Sequence, residues 1–249
     1  MNNENAIAVI SDIHSNVYAL EAVLRDIDIR GIKTIVNLGD TLFGPIDPLK
    51  TAAILMNRPN LIHIMGNCDR YLLQEEMNSI TFHYVKPLLT QEILAWIQSF
   101  HRAWADEELF FCHGTPFSDD KSLIEEVTPH GVLAKSVDIL MSELALVPQK
   151  LIFCGHTHVA KSVWLPDGKF IVNPGSVGLP AYYEKEPFPH SMEAMTPHAR
   201  YAIASKHHGS WQMEQILLPY DYELAAQKAE RNDRDDYAYA IRSGRALII

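Results

Sequence analysis

Residues 6–14, Ala6-Ile7-Ala8-Val9-Ile10-Ser11-Asp12-Ile13-His14, run from a short apolar stretch straight into two metal-capable side chains. The apolar part is bounded by Ser11-Asp12, so a strand is expected over 6–11, with Asp12 and His14 at its carboxyl end. The next segment has a different period. Leu20, Val23, Leu24 and Ile27 share one face of a helix expected over 16–30, and Gly31 follows as its C′ residue. A second β-branched run follows at 32–38. Strand, helix and strand in that order mark a layered α/β fold rather than a bundle or a sandwich.

The alternation continues outward, with strands expected at 61–65, 109–112 and 150–154. A helix over 48–57 opens with Asp47 as N-cap and Pro48 at the first position, where a missing N–H costs nothing. Thr90 is placed to cap a helix over 91–101. After the fifth strand the pattern changes to hairpins. Lys161–Leu165 and Lys169–Val172 flank Pro166-Asp167-Gly168, and 200–205 and 211–218 flank His208-Gly209. Between them, 180–199 is rich in Pro, Glu, Met and His without clear periodicity and reads as an irregular loop or lid. The tail 221–249 reads as helical, with the Arg231–Asp236 charge run as a solvated face. No repeat or linker divides the chain, so one domain over 1–249 is expected.

Composition sets limits. The chain has 249 residues, 47% hydrophobic and 21% charged, which suits a globular domain. Met1–Asn5 lacks a basic n-region, and the apolar run after it is too short for a signal peptide. No apolar stretch approaches the ~20 residues of a membrane span. Cys68, Cys112 and Cys154 are odd in number and form no CxxC pair, which fits a reducing, cytoplasmic setting. A net charge of −10 opposes generic nucleic-acid or anionic-membrane binding, so a small substrate is expected rather than a polymer. Hydrophobic strand edges leave a homodimer open.

Each expected strand ends in metal-capable residues: Asp12-Ile13-His14, Gly39-Asp40, Gly66-Asn67-Cys68-Asp69, His113-Gly114 and Gly155-His156-Thr157-His158. In open α/β sheets the carboxyl ends of strands are where sites form. If the segments stay extended, residues i and i+2 face one side, so Asp12 with His14 and His156 with His158 can converge. The glycines beside them permit sharp turns and close approach. Imidazole, carboxylate and amide ligands suit manganese or iron, with zinc or nickel as alternatives, and the lack of clustered thiolates argues against structural zinc or an iron–sulfur cluster. Seven candidate ligands exceed one tetrahedral ion but suffice for two ions sharing a carboxylate. Two aspartates leave such a pair with net positive charge, which would draw phosphate oxygens.

With those residues in place, the sequence resembles the calcineurin-like metallophosphoesterase superfamily, whose ordered motifs are DxH, GD, GNH(D/E), H and GHxH. They fall here at Asp12–His14, Gly39-Asp40, Gly66–Asp69, His113 and Gly155–His158, between residues 7 and 158. Asn173-Pro174-Gly175-Ser176 further resembles small single-domain members, including the YfcE-type phosphodiesterases. The resemblance implies an α/β, four-layer αββα sandwich of two facing mixed sheets flanked by helices, with the later hairpins completing the second sheet. It also implies that Asp12, His14 and His158 hold a first metal and Asn67, His113 and His156 a second, with Asp40 bridging. The implied reaction is in-line attack of a metal-bridging hydroxide on phosphorus.

Cys68 departs from the pattern, standing where most of the superfamily has a histidine thought to protonate the leaving group. A thiol, with reference pKa of ~8.5, can donate a proton but is a weaker partner for a phosphate oxygen than imidazolium. Esters whose leaving groups need little protonation are therefore the expected substrates. Asp69 is placed to orient a ligand or the turn, and Arg70 either to clamp a phosphate oxygen or to form a surface ion pair. Cys112 and Cys154, on the opposite sides of their strands, read as small core residues, and Trp96, Phe100 and Trp104 as core. Three functions fit: a hydrolase of small, nucleotide-derived phosphodiesters; a phosphoanhydride or monoester phosphatase acting on dinucleoside polyphosphates or phosphoproteins; and a non-catalytic metal-containing scaffold.

Overall fold

A computed structural model describes residues 6–248. Met1–Asn5, read above for the absence of a basic leader, and Ile249 at the end of the tail lie outside the described residues. The first half runs β1 (Ile7–Ile10), α1 (Val17–Ile29), β2 (Thr34–Asn37), α2 (Pro48–Met56), β3 (Leu61–His63), α3 (Asn67–Leu72), α4 (Ile80–Val85), α5 (Gln91–Gln98), β4 (Ala103–Ala105) and β5 (Leu109–Cys112). The second half runs β6 (Glu125–Thr128), β7 (Gly131–Ala134), α6 (Val137–Glu143), β8 (Leu151–Phe153), β9 (Lys161–Trp164), β10 (Phe170–Asn173), β11 (Ala181–Glu184), β12 (His190–Glu193), β13 (Ala199–His207), β14 (Ser210–Leu218), α7 (Tyr222–Glu230) and α8 (Asp235–Ser243). The helix starts follow the expected caps. Asn16 accepts from the Ala19 amide, Asp47 from Lys50 and Thr90 from Ile93, and Gly31 takes φ +72° after α1.

The fold is mixed α/β, as expected, with two five-stranded mixed sheets. The first has the order β14-β13-β1-β2-β3 and the second β4-β5-β8-β10-β9. β1, β2 and β3 run parallel, as do β5, β8 and β10. Period-two alternation sorts the core into layers. Ala8, Ile10 and Ile35 face Leu20, Val23 and Ile27 of α1, whereas Val9, Val36 and Leu38 meet Phe111, Phe153 and Val172 of the other sheet. Cys112, Ile152 and Cys154 face outward onto Leu140 and Leu144 at α6, so both cysteines are core residues. The result is helix, sheet, sheet, helix.

Three expectations are corrected. The second hairpin, β13–β14, extends the first sheet, not the second, pairing Ile7 with Ala204 and Val9 with Ala202. Its strand β13 is buried on both faces, with Tyr201 and Ile203 toward α1 and small Ala202 and Ala204 toward the other sheet, which seats it inside a sheet beside β1. The segment 180–199 is not irregular. It carries the β11–β12 hairpin, whose buried Ala181 and Met192 are too few to show a period in sequence. The charge run before α8 is not wholly solvated either, since the Arg234 guanidinium lies 4.2 Å over the Tyr237 ring and bonds to Asp236 and Thr81. Short elements such as α3, α4, β4 and the β6–β7 hairpin were not anticipated.

Where the sheets meet, Phe111 and Phe153 stack with ring centroids 4.8 Å apart, both fully buried. Phe111→Ala is expected to lower stability by about 3–5 kcal/mol, because the void between two sheets cannot collapse. Urea denaturation at fixed metal concentration checks this. A midpoint unchanged from wild type would contradict the sheet-on-sheet core.

Candidate metal centre

The carboxyl ends of β1, β2, β3, β5 and β8 open into turns that carry all seven predicted ligands. The turns are cross-braced by backbone bonds: Asp12 N donates to Gly39 O at 3.0 Å, His14 N to Asp40 O at 2.9 Å and Gly155 N to His113 O at 2.7 Å. Asn173 Nδ2 donates to Gly155 O at 2.8 Å, and Ser176 Oγ to Asp12 O at 2.8 Å, so the Asn173–Ser176 stretch ties the first and last ligand turns together.

Convergence is achieved differently from the expected pleat. Asp12, His14, Asp40, His156 and His158 all take positive φ, between +46° and +70°, so the chain is coiled there, not extended. A non-glycine residue in that region costs on the order of 1–3 kcal/mol, strain that the surrounding contacts must offset. Of the glycines singled out, Gly39 supplies a positive φ, +112°. Gly66 serves close approach instead, since a Cβ there would sit 2.1 Å from Asp40 Oδ1.

One half of the site gathers Asp12, His14, Asp40 and His158, all buried, with ligand atoms within 4.8 Å of one another. His14 Nε2 lies 3.2 Å from His158 Nε2 and 3.7 Å from Asp40 Oδ2, and His158 Nε2 lies 3.3 Å from Asp12 Oδ1. The other half centres on Asn67 Oδ1, which lies 3.1 Å from both His113 Nε2 and His156 Nδ1. His113 Nε2 is 3.5 Å from Asp40 Oδ1. Asp40 thus turns one oxygen to each half, the geometry a shared carboxylate needs.

The donor set fits cations. His14, His158 and His113 each aim Nδ1 at a backbone carbonyl, Phe43 O at 2.7 Å, Leu179 O at 2.6 Å and Leu38 O at 2.9 Å. A carbonyl only accepts, so each Nδ1 carries a hydrogen and each ring, when neutral, presents its Nε2 lone pair inward. Asp12 Oδ2 accepts from Ser11 Oγ at 2.6 Å, while Asp12 Oδ1 is buried with no hydrogen-bond partner. Lone pairs packed this closely repel unless a positive charge sits among them. Although burial opposes its charge, His158, His113 and His14 hold the Asp12 carboxyl well below the usual range. Burial and the His158 charge push His14 down, and burial and His113 push His156 down to about 4. Burial acts the same way on His113, but Asp40 and Asp12 prevail and raise it.

Around the ligands, Asp69 is fully buried. Its Oδ2 accepts from Asp40 N at 2.8 Å and Gly66 N at 3.1 Å, and its Oδ1 from Thr41 N at 2.9 Å, so it holds the Asp40 turn against α3. Burial and the Asp40 charge push its carboxyl up to about 7, against those amides. Cys68 donates its backbone N–H to Asp40 Oδ1 at 2.9 Å, and its thiol is pushed well above the ordinary range by burial and Asp40. Arg70 forms a two-pronged pair with Asp119 at 2.8 and 2.7 Å, the ion-pair alternative of the two roles read for it. Sequence reasoning missed Tyr182, whose ring stands edge-on to His158 at 4.7 Å and whose hydroxyl reaches His156 O at 3.4 Å. It lies in the segment read as irregular, where no pattern marked it. A cleft of about 1190 Å³ opens from the centre and includes Tyr71, Cys68 and Tyr182 in its wall.

Residues 6–192 match the calcineurin-like phosphoesterase superfamily domain. An uncharacterized protein of Methanocaldococcus jannaschii is 28% identical over 208 residues, 71% of this chain and 78% of that one. The crystal structure of a metallophosphoesterase from Sphaerobacter thermophilus superposes with a TM-score of 0.71 at 20% identity, covering 94% of this chain and 99% of that one. The E. coli phosphoesterase YfcE gives 0.44 at 20% identity, covering 86% and 100%.

Asp69→Asn would turn an amide N–H₂ toward donors that now face a carboxylate and release the Asp40 turn. Manganese affinity is expected to fall about 10–100-fold with the fold retained. Calorimetric titration with a parallel melting curve checks it, and an unchanged affinity would remove the positioning role.

Proposed function

The chain belongs to the calcineurin-like phosphoesterase superfamily and is a metal-dependent phosphoric ester hydrolase, and from that premise we propose that it hydrolyses small phosphodiesters at a dinuclear centre. The observation that carries this reading is the placement of Asp40, with Oδ2 toward His14 and Oδ1 toward His113, between two clusters of inward lone pairs. Asp12, His14 and His158 would hold one ion, Asn67, His113 and His156 the other, and Asp40 both. Bound there, a pair of divalent cations supplies charge stabilisation at phosphorus and lowers the pKa of water. Manganese or iron suits this nitrogen and oxygen set.

The protein's own residues do the rest. The bonds from His14, His158 and His113 to backbone carbonyls lock ring orientation, so the site is organised before substrate arrives. Burial excludes water from the ligand side and leaves the cleft as the approach. On that approach, the protonated Cys68 thiol is a weak donor, and the Arg70 fork, which follows it in α3, is engaged by Asp119. Little assistance to a departing alkoxide comes from either. This favours diesters with a leaving group that is stable as an anion. The net charge of −10 favours a small substrate over a polyanion, whose far charges would be repelled.

Loaded with manganese, the protein is expected to hold two ions per chain and to hydrolyse bis(p-nitrophenyl) phosphate. Its rate should fall steeply from aryl to alkyl esters. Cys68→His should flatten that dependence by raising alkyl-ester turnover about 10-fold or more. Binding of one ion alone, or two ions without turnover of any ester, would sink the reading. Equal leaving-group dependence in both proteins would remove the part assigned to Cys68.

A further inference from the structure

The cleft does not end at the metal centre. Its wall continues onto the β6–β7 and β11–β12 hairpins, where Glu125, Lys135, Tyr182 and Lys185 line it. Glu125 is 4% exposed, an unusual place for a carboxylate. Its Oε1 meets Lys161 Nζ at 2.7 Å. Its Oε2 is buried with no hydrogen-bond partner among the described residues. Lys135, also on that wall, is committed elsewhere, its Nζ donating to Glu143 Oε1 and Ser122 O, each at 2.8 Å. Glu125 also stands within electrostatic reach of the metal-centre end. The Tyr182 phenol is pushed well above its ordinary range first by burial, then by Asp12, Asp40, Cys68 and Glu125.

A buried carboxylate oxygen without a donor is costly, and a substrate group that supplies the donor is favoured over one that does not. Lys161 already balances the charge of Glu125, so the remaining oxygen calls for a neutral O–H rather than a second cation. We propose that Glu125 is a specificity-determining residue whose Oε2 accepts a hydrogen bond from a hydroxyl on the non-leaving arm of the diester, as a ribose or a glycerol unit carries. This rests on the phosphodiesterase reading above and narrows it to hydroxylated alcohols. A site that hydrogen-bonds a substrate hydroxyl rejects the analogue without it more sharply than an apolar pocket rejects a missing methylene.

The test uses the full chain loaded with manganese and p-nitrophenyl diesters that share one leaving group. The second arm is adenosine 5′, 2′,3′-dideoxyadenosine 5′, glycerol, propyl or choline, with bis(p-nitrophenyl) phosphate as the arm-independent reference. Wild type is expected to favour a hydroxylated arm over its bare counterpart by about tenfold or more in kcat/KM, mostly through KM. Preference confined to the adenosine pair assigns ribose, and preference confined to the glycerol pair assigns glycerol. Glu125→Ala should erase the preference and Glu125→Gln weaken it, while turnover of the reference diester and metal content stay at wild-type values in both. A wild type without the preference, a preference that survives Glu125→Ala, favour for the choline arm, or an equal loss on every ester would each overturn the proposal. If wild type cleaves none of the esters, the phosphodiesterase reading itself falls, an outcome separable from turnover without preference.

Discussion

Lone pairs crowded into a buried space are the constraint on which this protein turns. Two imidazole Nε2 atoms 3.2 Å apart, a carboxylate oxygen with no donor, and an amide oxygen shared by two more histidines do not attract one another. Each histidine could relieve part of this by taking a proton, but burial and neighbouring positive charge hold His14 and His156 toward the neutral form. A cation in each half would relieve all the contacts together. The arrangement is thus an electrostatic frame whose stability should be tied to what it binds.

The rest of the structure meets the cost of that frame. Two parallel strand sets end side by side, and the turns beyond them hold five ligand residues at positive φ. Such turns persist only where neighbours over-determine them. Here the neighbours are the sheet-on-sheet core behind the turns, the carbonyls of Phe43, Leu38 and Leu179 that fix the rings, and Asp69, which collects three backbone amides under the Asp40 turn. Asn173 and Ser176 close the arrangement from the far side. Most of these supports are polar groups with buried partners, which explains why a long stretch of chain after the last ligand is needed to hold the first.

How much of this was legible in sequence follows from physical scale. α1, α2 and α5 carry enough turns for a period and a cap to show, and β1, β2, β5 and β8 end in side chains that have no reason to be together unless they meet. The candidate ligands that the structure gathers could therefore be read residue by residue. The reason given for its convergence could not, because a pleated extension and a left-handed turn both bring i and i+2 together, and only the backbone distinguishes them. The placement of β13–β14 was hidden in the small residues of one face: Ala202 and Ala204 signal close sheet packing but read as neutral in a hairpin. Tyr182 and Glu125 were missed for a related reason. Each sits on a four-residue strand, too short to carry a pattern, and owes its position to tertiary contacts across more than twenty residues.

The same contrast orders the site from its invariant chemistry to its selectivity. Lone pairs from five separate turns leave little freedom in what the deep end can hold, and with the two cations proposed for it its net charge would attract phosphate from any source. Discrimination must then come from the cleft wall, where groups are fewer and farther from the metals. On that wall Lys135 is paired with Glu143 and Arg234 with Asp236, so two of its cationic side chains are already engaged by carboxylates. Selection on such a wall can act on what is attached to the phosphate. A buried acceptor such as Glu125 Oε2 acts on the attached group, since the penalty for leaving it unmatched is the same whichever phosphate ester enters.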